Sequence, residues 1–185
     1  MVRAADRVID DLASGTLAAT VGSRWQLISD RVMGGISAGT LRRETVAGQQ
    51  ALRMRGEVSL ENNGGFVQMA LDLAPDGAPV DASAWTGLEL DVLGNDEDYG
   101  VHLRTDAVAR PWQSYRQGFH ADRGWRTVRL PFAGFVAHRI EVPLDVRRLR
   151  RLGLVAIGRA FTADLAVGGV RFFGNPAGTA PTPAG

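Results

Sequence analysis

Period-two alternation over short segments constrains this chain more than any other feature. From Leu52 to Leu60, apolar or small residues alternate with Arg53, Arg55, Glu57 and Ser59. A strand sends successive side chains to opposite faces, so this is the pattern of a half-buried strand. Phe66 to Leu73 repeats it, with Val67, Met69, Leu71 and Leu73 on one face. Leu88, Leu90 and Val92 alternate with Glu89 and Asp91, and Tyr99, Val101, Leu103 and Thr105 with His102, Arg104 and Asp106. Further strands are read at Trp25–Ile28, Gly39–Val46, Ser114–Gln117, Trp125–Leu130, Leu152–Ile157 and Leu165–Phe173, and Val8–Leu12 reads as a first strand or one helical turn, with the strand preferred. Phe135 to Pro143 reads as irregular, and Leu144 to Arg151 as one basic turn of helix. Short strands, turn residues about every 8–12 positions and no long helical period predict an all-β fold, an antiparallel β-sandwich or barrel. Residues 1–174 read as one sandwich domain. Asn175 to Gly185 holds only Asn, Pro, Ala, Gly and Thr, which cannot pack a core, and reads as a disordered tail.

The turns carry two Gly-Gly pairs, Gly34-Gly35 inside Asp30 to Ser37 and Gly64-Gly65 inside Glu61 to Phe66. Glycine reaches positive φ without a Cβ clash, so such pairs mark sharp turns or close backbone approach. Asn62 to Gly65 lies between the two clearest strands and predicts a hairpin with a four- or five-residue loop. Gly94-Asn95-Asp96 predicts a second hairpin in the same way.

Composition removes whole classes of chemistry. All 21 basic residues are Arg, so there is no lysine for a Schiff base or a P-loop. There is no Cys, hence no disulfide, thiolate nucleophile or Cys-ligated metal. A formal net charge of +1 supplies no global field toward nucleic acid or an anionic membrane. No apolar run reaches membrane-spanning length, and Met1 to Arg7 lacks the apolar core of a signal peptide. The expectation is a bacterial-type cytoplasmic protein with no nucleic-acid partner, no membrane insertion and no cofactor.

Candidate binding residues fall in two groups. The glycine loops offer Asp30, Met33, Gly34, Gly35, Ser37, Glu61, Asn62 and Asn63. Asp30 and Glu61 could ligate a hard cation such as Ca²⁺, or could instead hold turn amides, as short acidic side chains do. The second group is a polar strand face. If Leu52, Met54 and Val58 point inward, then Arg53, Arg55 and Glu57 point out. By the same alternation so do Gln68, Glu89, Asp91, His102, Arg104 and Gln117, with Tyr115 beside them. Such a face could bind a glycan or a polar peptide, and its bland alternative is a solvated surface of cross-strand charge pairs. Of the four tryptophans, Trp112, next to Pro111, is the best candidate for an exposed one. His102, His120 and His138 have no metal-ligand spacing, and no metal or catalytic residue is assigned.

Four blocks, taken in order, resemble the complex I intermediate-associated protein family. They are Trp25, Asp30 and Val32-Met33-Gly34-Gly35-Ile36-Ser37; Gly56 to Phe66; Tyr115 to Phe119 with Trp125, Val128, Leu130-Pro131-Phe132 and Phe135; and, more loosely, Pro143-Leu144-Asp145 with Leu152-Gly153-Leu154. The blocks and the final strand cover roughly residues 8–174. The family's Arg-Gly after the Phe135 region is replaced here by Arg139-Ile140. The resemblance implies a galactose-binding-like jelly roll. It also implies a non-enzymatic assembly helper with a protein partner, a respiratory-complex subunit among the candidates; a glycan is the alternative ligand.

Overall fold

The computed structural model of the chain describes residues 7–174. The tail expected at 175–185 lies outside the described residues.

Strands follow one another as β1 (Arg7–Asp10), β2 (Gln26–Ser29), β3 (Ala38–Val46), β4 (Gln49–Val58), β5 (Phe66–Asp72), β6 (Gly87–Leu93), β7 (Glu97–Thr105), β8 (Ser114–Ala121), β9 (Arg126–Pro131), β10 (Val136–His138), β11 (Leu149–Ile157) and β12 (Phe161–Phe173). They form two antiparallel sheets. The first runs β3-β4-β12-β6-β9, with β1 pairing along the far half of β12; the second runs β10-β8-β7-β11-β5-β2. This is the expected jelly-roll sandwich. Among the described residues no helix is long and apolar enough to cross a membrane.

The core lies between the sheets. Leu52, Met54, Leu88, Leu90, Val92, Leu165, Val167 and Phe172 come from the first sheet, and Val67, Met69, Leu71, Val101, Leu103, Leu152 and Leu154 from the second; each is almost fully buried. Burying a Leu, Val, Met or Phe contributes about 1.5–3 kcal/mol, which makes this cluster the main source of stability. Trp25 is buried, its indole N–H donating to Asp10 at 2.8 Å. Trp85 stacks on Phe172 with ring centroids 5.4 Å apart. Trp125 covers a smaller cluster of Val46, Ala51 and Ala166, and its N–H reaches the Val46 carbonyl at 2.9 Å.

Both expected hairpins are overturned. β4 pairs with β3 and β12, whereas β5 pairs with β11 and β2, so residues 59–65 cross from one sheet to the other. β6 and β7 are split in the same way. Alternation reports which face of a strand is buried, not which strand pairs with it. The crossing segments spend their amides on other parts of the fold. Gly65 and Phe66 donate to Asp30, while Gly94 and Asp96 donate to the Asp122 and Ala121 carbonyls at the end of β8. The tight hairpin joins β3 to β4, where Val46 faces Gln49 across Ala47-Gly48, at φ of 45° and 82°. Positive φ at both central residues suits the right-handed twist of flanking strands. The segment read as irregular holds β10, and the basic helical turn is reduced to a 3-10 turn at Val146–Arg148.

Candidate functional site

Asp30 is fully buried. It opens a 3-10 turn, Asp30–Met33, which Gly34 ends in the left-handed region at φ 86°. Its Oδ1 accepts from the Ser37 amide at 2.9 Å; its Oδ2 accepts from the Ser37 hydroxyl and from the amides of Gly65 (2.5 Å) and Phe66 (3.3 Å). Ser37, also buried, accepts in turn from the Ser59 amide at 2.9 Å. Burial raises the Asp30 pKa, but the Ser37 hydroxyl and the amides of Gly65, Ser37 and Phe66 outweigh it and hold it below the usual carboxylate value. Both glycine loops close on this carboxylate. A Cβ on Gly35 would lie 2.4 Å from Asp30 Cγ, and one on Gly64 2.5 Å from its Oδ2. Asp30 therefore joins the two loops, the turn-amide alternative rather than the cation one. Glu61 and Asn62 are exposed in the second loop, with Asn62 at φ 56°, and Asn63 ends that loop's 3-10 turn.

With its base fixed, the first loop lifts Val32 and Met33 into solvent, 72% and 53% exposed. They overhang the outer face of the second sheet. Here a cleft of about 280 Å³ is lined by Ile28, Met33, Phe66, Gln68, Val155 and Ile157 on one side and by His102, Arg104, Trp112, Arg116 and Arg151 on the other. A narrower side pocket of about 50 Å³ continues it between Gln113, Ser114 and Gly153. Strand register explains the arrangement. Ala70, Gly153, His102 and Arg116 stand side by side on β5, β11, β7 and β8, and Asp72, Arg151 and Arg104 form the next row. Gly153 makes room for the Gln68 side chain on the floor: a Cβ there would lie 2.6 Å from Gln68 Oε1. The Trp112 loop is tied down by Gln113, which accepts from the Ala109 and Arg110 amides and donates to the Arg139 carbonyl at 3.1 Å. Trp112 is 49% exposed, with the Arg110 guanidinium carbon 5.9 Å from its ring centroid.

Positive charge is in excess in this cleft, with Asp72 beside Arg151 the one acid at its edge among the described residues. No carboxylate lines it among the described residues. Arg151 reaches Asp72 at 3.3 Å, whereas Arg104 and Arg116 have no ion pair among the described residues. Arg104 donates weakly to the Pro111 carbonyl at 3.5 Å, and Arg116 to Ser114 Oγ at 2.8 Å. Burial, then Arg151 and Arg150, pulls the Arg104 pKa down; burial, then Arg139, does the same to Arg116. Burial, aided by Arg116 and His138, pushes His102 down to about 3, so its ring is neutral near pH 7.

The first sheet's outer face is the opposite case. Arg53 makes a two-pronged contact with Asp164, both arms 2.8 Å, and Arg55 approaches the same carboxylate at 3.7 Å. Arg129 and Arg171 close on Glu89, and Arg171 also on Asp91. A trough of about 460 Å³ runs over Arg55, Glu57 and Asp164, and its Arg and Asp are already engaged with each other. This is the charge-pair surface foreseen as the bland alternative.

The expected polar face is thus two faces. Met33, Gln68, His102, Arg104 and Trp112 meet in the cleft, while Arg55 stands on the far side of the sandwich. Tyr115 and Gln117 are corrected by one position. Tyr115 is buried, its hydroxyl donating to the Val142 carbonyl at 2.6 Å, and Gln117 pairs with inward-facing Val101. Arg116 is the outward residue, because a one-residue change of phase exchanges the faces of a strand. Arg151 and the apolar wall of Ile28, Phe66, Val155 and Ile157 were also missed. In sequence Arg151 reads as the end of a basic turn, and the others look like core residues.

Among the described residues one group could hold a metal: Asp96, His120 and Asp122, whose ligand atoms lie within 4.8 Å of one another. Arg123 and Arg126 already contact Asp96 and Asp122 at 2.8 and 2.6 Å, and His120 Nδ1 lies 2.7 Å from Asp98. These partners account for the cluster without an ion.

The fold is similar to that of a Family 11 carbohydrate-binding module from Clostridium thermocellum, solved with a mixed-linked β-1,3-1,4 tetrasaccharide (13% identity, TM-score 0.71, 94% of this chain and 98% of that one). It is also similar to a Family 30 carbohydrate-binding module of a cellulosomal cellulase from the same organism (16% identity, TM-score 0.63, 90% and 95%). An agarase contains a similar region (11% identity, TM-score 0.62), where the match covers 94% of this chain and 25% of the agarase. No curated protein sequence matches the chain. The family model described as Complex I intermediate-associated protein 30 (CIA30) matches residues 18–167, and the chain belongs to that family.

Proposed function

We propose that this chain is a non-enzymatic recognition module that binds a polypeptide through the open face of its second sheet, as an assembly helper for a respiratory-complex subunit. One observation carries the reading: the exposed side chains of Val32, Met33 and Trp112 rim a cleft that also presents Arg104 and Arg116. Apolar and aromatic groups around arginine are the composition of protein-binding surfaces, where they supply most of the affinity. Family membership supports the assembly role. The lack of any carboxylate in the cleft lining, among the described residues, favours binding over paired-acid hydrolysis of a glycan.

The test is site-specific cross-linking in the native host. Met33→benzoylphenylalanine places a photoreactive group on the cleft rim, and the same substitution at Thr40 places it on the opposite trough. A discrete protein adduct from position 33 and none from position 40 is the expected result, with the adduct identified by mass spectrometry as a respiratory-complex subunit. Adducts at neither position, or at 40 alone, would reject the reading.

The half-exposed Trp112 ring favours one second reading, since an aromatic face beside polar groups can stack on a sugar. Saturable glycan binding seen in tryptophan fluorescence, and lost in Trp112→Ala, would establish it.

A further inference from the structure

We infer that the polar end of the cleft is built to receive a carboxylate, and that the segment recognised is an acidic peptide with apolar residues beside the acid. The inference rests on the polypeptide reading of the same cleft and specifies what that polypeptide must carry.

The argument begins with a pair the fold should avoid. Arg104 on β7 and Arg151 on β11 are directly opposite in register, and both face outward. Like charges at such a position repel, and a strand pair gains by replacing one of them. On the outer face of the other sheet the half-buried guanidinium groups have carboxylates: Arg53 has Asp164, and Arg171 has Glu89 and Asp91. Arg42, opposite Arg53 in register, is exposed to solvent and has no ion pair among the described residues. In the cleft Arg151 has Asp72 on one flank, but Arg104 and Arg116 are half-buried without a counterion among the described residues. Their environment is that of cations awaiting an anion, since burial and neighbouring arginines both act against their charge.

The donors also define the ligand. A guanidinium offers only N–H donors in a planar fork, the shape that meets a carboxylate with two parallel hydrogen bonds. His102 stands between Arg116 and Gly153 in the same row and stays neutral near pH 7, so it adds a hydrogen-bonding ring nitrogen without more repulsion. Gly153 lets the Gln68 carboxamide lie flat across the floor beside the arginines, which keeps that side chain out of the opening. The opposite wall, Ile28, Met33, Phe66, Val155 and Ile157, is apolar and is reached from the same opening. A free inorganic anion would leave that wall wet. A neutral sugar would leave both arginines unpaired. An acidic side chain or chain terminus next to Leu, Ile, Phe or Met fills both halves.

The test is selection of a random-peptide library on the full chain and on R104Q/R116Q, with inorganic phosphate and glucuronate titrated separately. Peptides with Asp or Glu adjacent to large apolar residues are expected from the wild type. The best of them should weaken about tenfold or more when its acid is changed to the amide, and similarly on R104Q/R116Q, as loss of a charge-assisted hydrogen bond requires. Added salt should weaken it too. Gly153→Ala keeps every charge but pushes the Gln68 carboxamide off the floor and into the cleft, so it should also reduce binding. This variant keeps the inference testable if the double variant melts early. Recovered peptides without acids, or equal binding by R104Q/R116Q and Gly153→Ala, overturn the inference and leave the polypeptide reading standing. No recovered peptide, with or without arginine-dependent binding of phosphate or glucuronate, overturns both.

Discussion

Oδ2 of Asp30 occupies the space that a β-carbon on Gly64 would need, 2.5 Å from that position. The two glycine loops are therefore one object. A short acid needs amides around it, and the second loop brings the amides of Gly65 and Phe66 to it only because Gly64 has no side chain. The stability of this corner, and the placement of Met33 over the cleft, depend on that contact.

Asp30→Ala removes the acceptor of four hydrogen bonds and leaves buried donors unsatisfied. The expected loss is about 3 kcal/mol or more of unfolding free energy, measured by chemical denaturation. An unchanged denaturation midpoint would show that the carboxylate does not hold the corner.

Gly64→Ala should cost about 1–3 kcal/mol, because the added methyl group meets the carboxylate in a packed interior. Its backbone, at φ −76°, suits any residue, so the cost comes from the contact and not from the dihedral angles. In an Asp30→Ala background the same change should cost much less, since the group it meets is gone. Additive losses in the double-mutant cycle would disprove the contact.

Stability should fall as pH is lowered from about 6.5 toward 3. In that window unfolded His102 takes up a proton and folded His102, with its pKa near 3, does not. The unfolded state then binds more protons, so stability rises with pH across the window. His102→Gln should flatten this slope in urea titrations at successive pH values; an identical slope in the variant would contradict the burial of a neutral ring. Asp30 acts lower. Its depressed pKa contributes stability above 3.8 that is lost as pH falls through the folded-state value.

Trp112 should be the main quencher-accessible tryptophan. Trp25 is 2% exposed and Trp112 49%, with Arg110 beside its ring. Iodide should quench the wild type more strongly than caesium, because a cationic neighbourhood gathers anions. Trp112→Phe should remove most of that quenching while leaving the melting temperature unchanged. Persistent quenching in the variant would place the accessible ring elsewhere.

The strands themselves were legible because burial on one face imposes alternation, as in Leu52, Met54 and Val58 or Val101 and Leu103. Their partners were not. Gly64-Gly65 looks like a hairpin turn, yet its segment crosses the sandwich because its amides are drawn to Asp30 from a distant part of the chain. Phase was fragile where alternation was weak: Tyr115, Arg116 and Gln117 carry polar groups in succession, and only pairing with His102 on β7 decides that Arg116 faces out. Ile28, Val155 and Ile157 were unreadable as site residues because an apolar side chain looks the same lining a core or a cleft.

By itself, then, the sequence determined an all-β chain without lysine or cysteine, its family, and two glycine corners that had to be tight. Those properties follow from composition, local periodicity and the backbone freedom of glycine. Tertiary structure alone decided that the corners share the Asp30 carboxylate and that Arg53 and Arg171, half-buried on the outer face of one sheet, are neutralised while Arg104 and Arg116 of the other are not. The reason is that charge pairing and cleft formation depend on strand order and register, and these are set by contacts between residues far apart in the chain.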